Sequence, residues 1–396
     1  MRCILMNKNK EILTAEYHLS LGVFSDIYNV INIDFAPIIL KNTYQSNKDL
    51  KVALSEWFKG RGIPSWRDDL DLLLAKLNIS TPTELLDKAF GLSLSDQYWV
   101  KPFDSKIEYK DINFFDHDFE DSEFTNATFS STLESNAKIS LISPNNTTDG
   151  RLKKTWITEE GKRYLLKGGY KNEVMQPFNE VLATMICDKL GFKHIPYKIN
   201  IIKDKIVSKC ECFVDKNTEL VSAHQILHNN CEKEKAYETY INILENNGIN
   251  NAREEIENML VLDYIMLNED RHLNNFGIIR NVENLVWIST APIFDTGESL
   301  NIIDYNDEEV IINGDGRFFY DVDNFDSILN KVHNLKRFDL SKLDGITKEF
   351  ENLLYKYQFI TKMTDRRINK ICTLLSSRIN KLKKIIESNE KGNSQI

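Results

Sequence analysis

No stretch of this chain stays apolar over the roughly 18 residues that a membrane-crossing helix needs, so no span is expected. The opening residues, "MRCILMNKNKEI", have neither a long apolar core nor a small-residue cleavage site, so they do not read as a signal peptide. Positive charge is in short supply: 50 Lys and Arg face 59 Asp and Glu. A surface built to coat nucleic acid needs clustered cations instead. The six cysteines (Cys3, Cys187, Cys210, Cys212, Cys231 and Cys372) form no C-x-x-C pair and no Cys/His zinc spacing, and Cys210 and Cys212 are poorly spaced to bridge each other. Internal repeats and low-complexity tracts are absent too. A reduced, soluble, cytoplasmic protein is expected.

What is present is ordinary globular material: 396 residues, 42% hydrophobic and 28% charged, long enough for two domains. Residues 1–100 hold helical patches, Asp68–Ile79 and Thr81–Leu92. In the second, Thr81 is placed as N-cap, Pro82 at the first helical position and Glu84 three residues on. This region carries no obvious chemistry and reads as a docking or interaction region. Residues 104–123 then hold eight Asp or Glu against two Lys, with aromatics interleaved. They read as a solvated connecting segment, with a self-docking acidic strip as the alternative, and set the domains at 1–125 and 126–396.

Beyond it the pattern alternates. "WITEEGKRYLLKGG" predicts a hairpin turning at Glu160-Gly161. Pro177–Phe192 predicts a helix with Val181, Met185 and Leu190 on one side and Gly191 closing it. Lys198–Asp215 predicts two strands, Tyr237–Leu267 helices, and "FGIIR" with "LVWIS" a second strand pair. A last helix, about Thr364–Glu387, lines up Ile368, Ile371, Leu375, Ile379, Leu382 and Ile386. Its seven basic residues between Arg366 and Lys384 read as a solvated face. The fold class is α+β.

The chemistry gathers in "NEDRHLNN", Asn268–Asn275, and "APIFDTGESL", Ala291–Leu300. Asp, Asn and Gly favour turns, so the first stretch alone is also consistent with a helix C-cap and loop. Phosphoryl transfer gives it a purpose: a polyanionic group in transfer needs metal ions, a lysine on the phosphates and a base for the attacking hydroxyl. Asp270 suits the base, Asn275 and Asp295 suit Mg²⁺, Lys167 ends a strand, and Glu180 on the following helix suits an acid that holds the lysine. Strand lysine, helix glutamate, Asp-x4-Asn and metal aspartate is the order found in protein kinases. An aspartic protease needs a second D-[ST]-G, which this chain lacks.

The departures from ordinary protein kinases are specific. No G-x-G-x-x-G precedes Lys167, Arg271 and His272 follow the aspartate, Phe294 precedes Asp295, and no A-P-E follows. The arrangement resembles the HipA-like kinases, a bacterial serine/threonine kinase family with toxin members. The family's loop N-x-D-R-H-x-x-N is met by Asn268–Asn275, its metal segment by Ala291–Leu300, and its nucleotide-binding entry by "TTDGRLKKTW…GKRYLLKGG". The resemblance covers about 138–390, while "GRGIPSWRDDL" and "GLSLSDQYWVKP" resemble the N-terminal region of Gram-positive relatives. It implies a two-lobed protein-kinase-like fold, with a β-rich nucleotide lobe (about 126–215), a mostly helical catalytic lobe (about 216–396) and an N-terminal accessory region. It implies ATP and Mg²⁺ as cofactors, Asp270 as catalytic aspartate, Asn275 and Asp295 on the metal, and Lys167 and His272 at the phosphates. Glu211 and Phe213 of "KCECFVD" fall at the adenine hinge. Autophosphorylation is implied in "SLISPNNTTDG", with Ser143 the positional choice. A protein substrate and an antitoxin partner are implied as well, with no direct nucleic acid contact. The alternatives are a small-molecule phosphotransferase and a nucleotide-binding pseudokinase acting as an interaction module.

Overall fold

The computed structural model describes residues 1–67, 69–119, 122–129, 142–148, 150–169, 174–228, 231–300 and 314–392. The fold is mixed α+β, and the chain divides into two units of interleaved sequence. The first takes residues 1–171, 209–235 and 277–291; the second takes 172–208, 236–276 and 292–396.

The first unit opens on an element the sequence reading missed, a four-stranded antiparallel sheet in the order Val23–Val30, Lys10–His18, Arg2–Asn7, Tyr98–Pro102. Its strand Arg2–Asn7 is buried on both faces. Cys3 and Leu5 join a core with Leu13, Tyr17, Phe24 and Phe58, while Ile4 and Met6 join another with Leu92, Leu94 and Trp99. A strand covered twice shows an unbroken apolar run instead of alternation. The helices Leu70–Leu77 and Pro82–Lys88 form where expected. Thr81 caps the second by accepting from Glu84 N at 3.3 Å, and Pro82 opens it. The acidic segment corrects expectation. Its aromatics Tyr109, Phe114 and Phe119 are buried in the core that holds Ile4 and Trp99, so apolar packing binds it to the sheet.

The hairpin Lys154–Glu159/Lys162–Gly168 turns at Glu160 and Gly161, both in the left-handed region. The pair Gly277–Asn281/Trp287–Thr290 also forms, and gains a third strand, Thr218–Ser222, beside Gly277–Asn281. Gly277 is obligatory there, since a Cβ would stand 2.1 Å from Val221 O.

In the second unit the helix Ala252–Met266 is buried over almost its whole surface. The helices Met175–Leu190, Phe325–Leu329 and Asp365–Gly392 pack against it. The Met175–Leu190 helix buries a different stripe from the one expected: Phe178, Leu182, Ile186 and Cys187 are inside, and Val181, Met185 and Leu190 only half so. Apolar residues lie on both sides of this helix, so periodicity does not tell the inner one. In Asp365–Gly392, Ile368, Ile371, Leu375, Ile379 and Leu382 are buried as expected. Its basic residues are not simply solvated. Arg378 is 1% exposed and donates twice to Tyr264 O, at 3.1 and 2.9 Å, completing the end of the Ala252–Met266 helix, while Lys381 and Lys383 pair with Asp326 and Asp344. A second unexpected hairpin, Asp315–Phe318/Asp321–Asn324, also belongs to this unit.

Candidate active site

The buried helix Ala252–Met266 ends on Leu267, a leucine at φ +52, where only glycine is comfortable. The next residues are the loop Asn268–Asn275. Two side chains hold its shape. Asn268, 1% exposed, donates to Asp263 Oδ1 at 2.8 Å and accepts from Asp270 N at 3.3 Å. Arg271, 2% exposed, forks onto Asp263 through Nε and Nη2, both at 2.9 Å. Its remaining nitrogen, Nη1, donates to Asn275 O at 2.8 Å and to Phe294 O at 2.7 Å. One guanidinium thus ties the loop's last residue to the residue preceding Asp295. A fixed donor fork on a matched carboxylate is the most geometrically specific pairing available to a cation.

Around this centre the structure brings together Asp270, His272, Asn275 and Asp295. Asn275, buried, donates its amide N–H to Asp270 O at 2.8 Å, which leaves Oδ1 as the atom able to accept or ligate. Its backbone N–H bonds His272 O at 2.8 Å. His272 Nδ1 accepts from Asn274 N at 3.2 Å, so a neutral ring carries its proton on Nε2, 3.8 Å from Asp270 Oδ2. Asp295 stands at φ +54, a strained position for a non-glycine residue. The backbone around it is held by Tyr197 OH, 3.4 Å from Asp295 N, and by Asn179, which donates to Gly297 O at 2.8 Å and to Ser299 O. Two further bonds join the segments: Glu269 N to Glu298 O at 3.0 Å and Leu300 N to Met266 O at 2.8 Å. Burial raises the Asp270 carboxyl above the ordinary aspartate range; His272 and Arg317 pull it back, and the charge of Asp295 adds to the rise.

That mutual repulsion is what a divalent cation relieves. The available donors, an amide oxygen and a carboxylate, are the hard oxygens that Mg²⁺ prefers. No group of three or more His, Cys, Asp or Glu gathers among the described residues. A set of one or two protein oxygens fits Mg²⁺, which keeps waters and substrate phosphates in its remaining positions.

Glu180 lies in the same unit, 1% exposed, and accepts from the Ser208 hydroxyl. Lys167, Glu211, Phe213 and Ser143 belong to the first unit. Lys167 is 3% exposed, opposite Lys154 in the hairpin register. Glu211 ends a strand and pairs with Lys162 at 3.0 Å, and Phe213 is half-buried two residues on. Ser143 is 1% exposed and caps a short helical turn, Pro144–Thr147, by accepting from Asn145 N. Ser140, Leu141 and Asp149 of the same stretch lie outside the described residues. Sequence reasoning missed Asp263, Asn268 and Arg317. Only Asn268 had a signal, its place in the quoted loop.

The chain is similar to known proteins. The serine/threonine-protein kinase CtkA of Helicobacter pylori (strain J99 / ATCC 700824) is 25% identical over 244 residues, 51% of this chain and 72% of that protein. A crystal structure of the H. pylori proinflammatory kinase CtkA aligns at 19% identity and TM-score 0.48, over 62% of this chain and 93% of that one. HipA of Shewanella oneidensis MR-1, solved with HipB and operator DNA, aligns at 13% identity and TM-score 0.58, over 97% of this chain and 99% of that one, which is a likeness of fold. The family model of the HipA-like C-terminal domain matches residues 136–366, more than half of the chain, and the chain belongs to that family.

Proposed function

We propose that the chain is an ATP- and Mg²⁺-dependent serine/threonine protein kinase of HipA-like type, with a kinase domain over about 126–396 and an accessory region before it. In this reading residues 126–215 form a β-rich nucleotide lobe and 216–396 a helical catalytic lobe. The observation that carries it is the Arg271 fork, which fixes Asp270, Asn275 and the approach to Asp295 as one constellation. Asp270 accepts the proton of the acceptor hydroxyl, and His272 lies beside it on the phosphate side. Asn275 Oδ1 and the Asp295 carboxylate would hold Mg²⁺, which when bound would supply positive charge against the phosphates. Lys167 supplies the ammonium for the phosphates, Glu180 belongs with the nucleotide-binding residues, and Glu211 and Phe213 receive the adenine. Family membership and the likeness to CtkA support a protein acceptor over a small molecule.

The test is incubation of purified protein with labelled ATP and Mg²⁺, with the product located by mass spectrometry. Phosphate on a protein serine or threonine is expected. Label released only on small molecules supports a small-molecule phosphotransferase, and ATP binding without turnover supports a pseudokinase. A HipB-like antitoxin partner is part of the same proposal, motivated by the HipA complex. Co-purification of a small protein encoded beside this one is the observation that checks it.

A further inference from the structure

Arg317 belongs to no motif in the sequence, yet its side chain ends on the candidate base. Its Nε stands 3.3 Å from Asp270 Oδ1, and its backbone N–H donates to Glu269 O at 3.3 Å. Beside it, Gly316 is packed so tightly that a Cβ would meet the Phe325 ring at 2.7 Å and stand 3.2 Å from Asn268 O. Gly316 and Arg317 therefore lie against three successive loop residues, Asn268, Glu269 and Asp270. Their hairpin is anchored from the other side. The Phe319 ring meets Tyr237, Tyr240 and Phe276 edge-on, with centroids 5.4–5.8 Å apart. The arginine is thus delivered to Asp270 by a packed element, although its own side chain is 55% exposed.

A base must present one oxygen to the hydroxyl in a fixed direction. The outer torsion of an aspartate is broad, so a half-exposed carboxylate does not hold that direction by itself. His272 Nε2, at 3.8 Å, is beyond hydrogen-bond reach of Oδ2. Arg317 is the nearer cation, and its approach of 3.3 Å is to Oδ1. We propose that Arg317 is a positioning residue: it holds Oδ1 so that Oδ2 faces the acceptor hydroxyl, and the close seat of Gly316 sets the arginine's reach. This rests on the kinase reading above, with Asp270 as base.

A half-exposed ion pair adds little to stability, so its loss should appear in rate and not in folding. The experiment measures phosphate transfer from labelled ATP and Mg²⁺ by wild type, Arg317→Ala, Arg317→Lys and Gly316→Ala, with thermal melts of each. Misdirected reacting groups cost on the order of 10–100-fold. That loss is expected in kcat for Arg317→Ala, with KM for ATP unchanged and the melt retained. Arg317→Lys should recover part of it, and Gly316→Ala should reproduce it with the arginine still present. A wild-type kcat in Arg317→Ala overturns the assignment. So does a raised kcat, which makes the arginine a block on the base, and so does a change confined to KM for ATP. If Gly316→Ala does not fold, the two arginine variants decide. Wild type that transfers no phosphate sinks the kinase reading itself, an outcome separate from an active wild type matched by Arg317→Ala.

Discussion

At the scale of single residues, the Asp-x4-Asn spacing and the later aspartate were legible because chemistry fixes both residue type and order. The residues that hold them were not. Asp263 sits in a helix buried on all sides, so no polar face sets it apart. Arg271 is named by its place beside Asp270, but only its 2% exposure and four acceptor contacts reveal a linchpin. Two substitutions separate chemistry from scaffold. Asp270→Asn keeps the shape and loses the basicity, so transfer should fall by about 10²–10⁴-fold while ATP still shifts the melting temperature as in wild type. Near wild-type transfer would remove Asp270 from the mechanism. Asp263→Ala should instead destabilise the fold by about 3–5 kcal/mol, because it strands a buried guanidinium. Denaturant midpoints measure this, and a change under about 1 kcal/mol would mean that Arg271 finds another anion or water.

Whole elements were read well where a turn or cap signals them locally and poorly where distant partners decide them. The hairpin at Glu160-Gly161 and the helix capped by Thr81 carry local signals. The twice-covered strand Arg2–Asn7 and the docked segment 142–148 depend on distant partners. In that segment Asn146 donates to Leu85 O at 3.0 Å and Thr147 to Leu92 O at 2.8 Å. Arg67, 5% exposed, holds its end through Thr148 Oγ1 at 2.7 Å, Thr148 O and Gly150 O at 3.1 Å. Ser143 is buried in this docked state, so a kinase can modify it only after the segment leaves. Hydrogen bonds to charged groups are worth about 1.5–3 kcal/mol each, so Arg67→Ala should raise the open population by tenfold or more. The expected result is more autophosphorylation within Ser140–Thr148 in Arg67→Ala than in wild type, and none in Asp270→Asn. The added charge of about −1.5 to −2 should then cost the modified form its ATP binding. Mass spectrometry that finds phosphate only elsewhere, or unchanged by Arg67→Ala, counts against this regulation and leaves the kinase proposal standing.

For the molecule as a whole, composition and element order led to α+β, but not to the interleaving. Each unit collects three separate stretches of chain, and the strand Thr218–Ser222 joins Gly277–Asn281 across more than fifty residues. Such pairings are set by long-range packing, which a linear pattern does not encode. Global stability nevertheless tests the proposed metal site, because a ligand that binds only the folded state stabilises it by RT ln(1 + [L]/Kd). That is about 2.7 kcal/mol at a concentration of 100 Kd. ATP with Mg²⁺ should therefore raise the melting temperature of the wild-type chain by several degrees. ATP with EDTA should do so less, since the phosphates then lack the cation that Asn275 and Asp295 are proposed to hold. Asp295→Ala removes the charged ligand and leaves the neutral one, so the Mg²⁺-dependent part of the shift should vanish, while Asn275→Ala should reduce it. If Asp295→Ala keeps the full Mg²⁺-dependent shift, the strained aspartate at φ +54 is not the metal's anchor.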